Sequence, residues 1–178
     1  MERITDKQKI LIVDDSEMNR SILADMLGDE YEILEAENGK EGVAMLQKCC
    51  GDISLVLLDI VMPEMDGFGV LNVMNKNQWI ADVPVIMISA ESGSSHIERA
   101  FDLGVTDFIS RPFDALIVHR RVVNTILLYA KQKKLVALVA DQIYEKEHSN
   151  SMMIDILSHI VEFRNGESGM HVRHVHML

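Results

Sequence analysis

The stretch Ile53-Ser-Leu-Val-Leu-Leu-Asp59 restricts the possible folds more than any other part of the sequence. It is apolar almost throughout and far too short to be a helix of the usual length. A strand with one wet face would alternate apolar and polar residues. A near-continuous apolar run instead marks a strand covered on both faces, as in a parallel sheet sandwiched between helices. A parallel sheet is assembled from βα units, so the same punctuation should recur along the chain.

It does recur. Lys9-Ile-Leu-Ile-Val-Asp-Asp15 reads as a first strand closing in two carboxylates. Ser16 is placed to cap a helix whose Ile22, Leu23, Met26 and Leu27 repeat at helical spacing, with Gly28 ending it. Tyr31–Ala36 reads as the second strand. Asn38 then caps a helix to about Cys49, with Val43, Ala44 and Leu46 expected inward. After Asp59, the loop Met62-Pro-Glu-Met-Asp-Gly67 leads into a third helix. Val83–Ser89 reads as strand four, 94–103 as a helix and Val105–Ser110 as strand five; a last helix begins near Asp114. Five strands alternating with five helices imply a doubly wound α/β domain, with right-handed crossovers placing helices on both faces.

Ligands of such sheets sit outside the carboxyl ends of the strands. That rule should gather Asp14 and Asp15 (strand one), Asp59 (strand three), Ser89 (strand four) and Arg111 (after strand five) into one crevice. Three clustered carboxylates repel one another, and a hard divalent cation such as Mg²⁺ removes that cost. An aspartate beside Mg²⁺ can act as a nucleophile toward phosphorus and form an acyl phosphate. Ser89 and Arg111 would then serve the phosphoryl oxygens. A lone Asp-Asp pair is usually a solvated loop feature. The whole set at successive strand ends is far harder to obtain by accident.

These residues carry a resemblance. Residues 8–125 resemble a response-regulator receiver domain similar to the CheY-like chemotaxis regulators, which implies a flavodoxin-like sheet in the order 2-1-3-4-5. The resemblance assigns the metal to Asp14, Asp15, Asp59 and the backbone carbonyl of Val61, and the phosphoryl group to Asp59. It makes Ser89 the hydroxyl and Phe108 the aromatic of the switch. It implies a histidine kinase or phosphotransfer protein as partner. Arg111 departs from the family, which has lysine there; a planar guanidinium is not equivalent to an ammonium. Phe108, lacking a hydroxyl, equally suits a plain core aromatic.

Charge divides the 178 residues unevenly. Residues 1–114 hold 9 Lys/Arg against 22 Asp/Glu, whereas 115–178 hold 8 against 6 and six of the seven histidines. The acidic first part argues against nucleic acid, and the tail has no basic stripe. No apolar run is long enough to span a membrane, and the N-terminus lacks the blocks of a secretory signal. Adjacent Cys49 and Cys50 read as reduced thiols. A cytoplasmic location is the expectation.

The domains expected are a receiver at 1–125, a helical linker at 126–150 that can pair in a homodimer, and a further segment at 151–178. Ile117, Val118, Val122, Ile126, Leu135, Leu138, Val139 and Ile143 form an imperfect apolar stripe interrupted by Lys131, Gln132 and Gln142. A break is expected at His148–Ser151 and a turn at Asn165–Gly169. Glu167 and His171 are one helical turn apart. Residues 152–178 resemble the opening of an HD or HD-GYP phosphohydrolase domain, through Ile160-Val-Glu-Phe-Arg-Asn, Glu167-Ser-Gly-Met-His171 and Arg173. The resemblance makes Glu167 and His171 candidate ligands of a di-metal site, with Asn165 where that family usually has Asp. The His-Asp dyad and Gly-Tyr-Pro motif are absent from these residues, so the chain is read as a fragment whose full-length form would carry the output, as a cyclic-di-GMP phosphodiesterase-like enzyme. The competing reading is a binding and dimerisation module with a degenerate, non-catalytic HD remnant.

Overall fold

A computed structural model describes the backbone of residues 7–49, 51–90 and 94–175, with side chains described through residue 159 except at 94 and 95. The order is β1 (Lys9–Val13), α1 (Glu17–Leu27), β2 (Glu32–Ala36), α2 (Gly39–Cys49), β3 (Ile53–Asp59), α3 (Gly67–Lys76), a 3-10 turn (Trp79–Ala81), β4 (Val85–Ser89), α4 (Ser94–Asp102), β5 (Asp107–Ser110) and α5 (Ala115–Val175). All strand pairs are parallel, in the order β2-β1-β3-β4-β5.

The period-two geometry of a strand sorts the β3 run onto two faces. Val56 and Leu58 enter one core with Leu11, Val13, Phe68 and Leu71, and Ile53 joins them because the register against β1 shifts between Ile53 and Leu55. Leu55 and Leu57 enter the other, with Ile10, Ile12, Leu23 and Val122. Every apolar residue of β3 is buried, as the uninterrupted run required.

Helix ends follow the capping chemistry. The Ser16 Oγ accepts from the Asn19 N–H at 3.4 Å, and Asn38 Oδ1 accepts from the Glu41 N–H at 3.0 Å. Asp66 and Asp114 cap α3 and α5 in the same way.

The structure corrects several sequence expectations. Ala44 is exposed; α2 turns Gly39, Gly42 and Leu46 inward, and at Gly42 an added Cβ would lie 3.0 Å from a Val13 methyl. Ile22 of α1 lies at the rim, 36% exposed. Strands four and five each begin two residues later than their apolar composition suggests. No helix break occurs at His148–Ser151 and no turn at Asn165–Gly169, because α5 continues through both. Each helical Gly, here Gly166 and Gly169, costs only about 1 kcal/mol and a short polar run less, and neither need end a helix. The chain separates into two units, residues 1–130 and 131–178. Among the described residues no helix is long and apolar enough to cross a membrane.

Gly67 opens α3 directly under the site strand. A Cβ there would collide with the Asp59 carbonyl oxygen and lie 3.1 Å from the Ile60 Cα, both backbone atoms that cannot swing away. Gly67→Ala is therefore expected to destabilise the fold by about 1–3 kcal/mol, the usual range for overpacking. Urea denaturation measures it, and an unchanged midpoint would contradict the packing described.

Candidate functional site

Four of the five strands, β1, β3, β4 and β5, deliver polar residues at or just after their carboxyl ends, so the sheet itself builds the site. Asp14 follows β1 and is fully buried; Asp59 closes β3 and is 3% exposed; Asp15 remains exposed. Ligand oxygens of Asp14, Asp15 and Asp59 all lie within 4.8 Å of one another. Ser89 ends β4, 9% exposed, and Arg111 follows β5. A cavity of about 290 Å³ is lined by Asp15, Asp59, Ile60, Val61, Ser89, Ala90, His96 and Arg111. The Val61 side chain is turned out, 77% exposed.

Close carboxylates need cations or donors. Arg111 Nη2 donates to Asp59 Oδ1 and lies 3.8 Å from Asp14 Oδ2, so one guanidinium serves two acids. Its Nε is buried with no hydrogen-bond partner among the described residues. The Ile60 N–H donates to Asp59 Oδ1 at 2.9 Å. Even so, burial and the neighbouring Asp14 charge push the Asp59 carboxyl above its ordinary value of 3.8, against the opposing pull of Arg111 and Ile60. The donor set consists of hard carboxylate oxygens in a partly dry crevice, which fits Mg²⁺.

Sequence reasoning missed three residues around this set. Asn19 Nδ2 lies 3.1 Å from both Asp14 oxygens. Arg20, 9% exposed, donates through Nη1 to the Asp14 carbonyl at 2.8 Å and through Nε to Glu35 at 3.0 Å. His96 lines the cavity from α4. The first two lie on the first turns of α1, and only the packing of that helix against β1 and β2 brings them to Asp14 and Glu35.

Phe108 is half-buried. It packs against the first core and meets Phe101 edge-on, centroids 5.3 Å apart. Beside it Arg121 of α5 pairs with Asp107 of β5. Glu167 and His171 lie on α5, but their side chains fall outside the described residues, so the suggested output-domain metal site is not addressed by the geometry.

Comparison with known proteins agrees with this picture. The family model of the response regulator receiver domain matches residues 10–123. A probable cyclic di-GMP phosphodiesterase of Vibrio cholerae is 31% identical over 171 residues, covering 92% of this chain and 38% of that protein. The response regulator PleD of Caulobacter vibrioides is 31% identical over 148 residues, covering 82% of this chain and 30% of that one. The crystal structure of the Vibrio cholerae chemotaxis protein CheY4 superposes with a TM-score of 0.62 at 25% identity, over 67% of this chain and 98% of that structure. The chain thus spans about a third of the length of these two curated relatives.

The raised pKa of Asp59 makes stability depend on pH. A carboxyl whose folded pKa exceeds its unfolded value binds more protons when folded, so stability falls as pH rises through the window between the two. In EDTA at neutral pH, Asp59→Asn should therefore melt above the wild type. The gap should close as pH falls toward the ordinary carboxylate range. A lower melting point for the variant at neutral pH would show that the Arg111 pair outweighs burial and repulsion.

Proposed function

The chain belongs to the response regulator receiver family, and on that premise we propose that Asp59 accepts a phosphoryl group from a histidine kinase or phosphotransfer protein, with Mg²⁺ held by Asp14, Asp15, Asp59 and the Val61 carbonyl. The observation that carries this reading is the convergence of three acidic side chains, Ser89 and Arg111 at the ends of four different strands and their following turns.

When bound, the cation neutralises charge on the phosphoryl oxygens. The chain's own residues do the rest. An Asp59 carboxylate oxygen attacks phosphorus as the phosphorus–nitrogen bond of the donor phosphohistidine breaks, and the imidazole leaves with its electron pair and takes up a proton. The loose transition state needs alignment and charge neutralisation more than a base. Ser89 donates to one phosphoryl oxygen. Arg111, released from Asp59 as that carboxylate becomes an ester-like acyl phosphate, neutralises another. Phe108 repacks with the β4–β5 end of the sheet, and the bias passes to α5 as a shift between two populated states.

The downstream part of the reading rests on relatives. Similarity to a probable cyclic di-GMP phosphodiesterase runs through nearly the whole chain, which supports 151–178 as the opening of an HD-type output with Glu167 and His171 among its metal ligands. A cytoplasmic location belongs to the same proposal. Exposed Leu135, Leu138, Val139 and Ile143 on the described part of α5 suit a linker that pairs with a second copy. The alternative, a binding module with a non-catalytic HD remnant, shares the receiver chemistry and differs only downstream.

Incubation with acetyl phosphate and Mg²⁺ followed by intact mass measurement should add one phosphoryl group to the wild type and none to Asp59→Asn. Equal labelling of both, or labelling of neither, would overturn the assignment.

A further inference from the structure

Asn19 of α1 places its side-chain amide against both carboxylate oxygens of Asp14. Asp14 is buried and an ionised carboxylate only accepts, so the Asn19 amide facing it presents its NH₂ group. The single Nδ2 lies 3.1 Å from Oδ1 and 3.1 Å from Oδ2. That straddling position is the edge on which a carboxylate would chelate an ion with both oxygens. The Ser16 N–H takes a further direction on Oδ1 at 2.9 Å. A carboxylate has about four lone-pair directions in all. Both on Oδ1 are engaged and one on Oδ2, leaving a single direction on Oδ2. Oδ2 is also the oxygen 3.8 Å from Arg111, which itself bonds Asp59.

We propose that Asn19 restricts Asp14 to one-oxygen ligation and so sets the site's preference for a small octahedral cation over a larger one. A cation the size of Mg²⁺ takes about six single-oxygen ligands in strict octahedral geometry, whereas Ca²⁺ takes about six to eight and is commonly held by carboxylates that chelate with both oxygens. Blocking the chelating edge penalises the larger ion and costs the smaller one little. Asn19 is a specificity-determining residue for cation choice, and this role rests on the cation-binding reading proposed above.

Calorimetric titration of the full chain with magnesium chloride and with calcium chloride tests it, on wild type, Asn19→Ala and Asn19→Ser. Both variants remove the amide at a partly buried helix position, and melting in EDTA verifies that they fold. The wild type should favour Mg²⁺. In the variants the ratio of the Ca²⁺ to the Mg²⁺ dissociation constant should drop by roughly fivefold or more as the chelating edge opens. Both constants changing by one common factor would make Asn19 a merely structural neighbour and overturn the proposal. A wild type that binds neither ion, or whose binding survives Asp14→Asn together with Asp15→Asn, would overturn the site reading itself, a result distinguishable from the first.

Discussion

The mutual repulsion of Asp14, Asp15 and Asp59 is the constraint around which this molecule is arranged. Folding brings three carboxylates within 4.8 Å, two of them buried. Placing like charges in a poorly solvated crevice costs stability unless each is met by donors or a cation. The chain meets Asp14 with the Asn19 amide, the Ser16 N–H and, through its carbonyl, Arg20. It meets Asp59 with Arg111 and the Ile60 N–H. Those donors do not fully offset the cost, since the Asp59 carboxyl still lies above its ordinary value. Burial first, and the Asp14 charge second, account for what remains uncompensated, and on the proposed reading a divalent cation would relieve both.

Sheet topology makes this strain tolerable. β1 and β3 are neighbours at the centre of the five strands, where apolar side chains pack on both faces and hold the backbone in register. Leu57 pairs with Ile12 and Leu58 with Val13, immediately before the two buried acids. The rigid core thus pays the electrostatic penalty at the rim, and Gly67 lets α3 begin against the Asp59 carbonyl without a side chain in the way.

Much of this was legible in the residues, and the limits have physical causes. The strand β3 and its closing Asp59 were readable because complete burial leaves an unbroken apolar run. The helix starts at Ser16, Asn38 and Asp114 were readable because capping is a local interaction. Ala44 was misread because an alanine on an amphipathic helix carries almost no directional signal, while the tight α2–β1 approach is recorded by Gly42. The predicted break at His148–Ser151 failed for a similar reason, since Ser and Asn weaken a helix only slightly. Asn19 and Arg20 escaped notice because their partners are Asp14 and Glu35, and only the packing of α1 on β1 and β2 supplies that proximity.

Arg111 ties the crevice to the rest of the fold. Its N–H donates to the Ser89 carbonyl at 3.0 Å, joining the ends of β4 and β5, while its side chain holds Asp59. Three residues later Asp114 caps α5. On the proposed reading, a change of charge at Asp59 therefore acts on a residue whose backbone fixes the β4–β5 edge and whose chain runs directly into the signalling helix. An ammonium would lie at the end of a flexible stem. The planar guanidinium reaches Asp59 and approaches Asp14 at once, so releasing it loosens both acids together. On that same reading Arg111, standing where the resemblance places lysine, links the proposed acceptor Asp59 to Asp14 through a single side chain, three residues before the cap of α5.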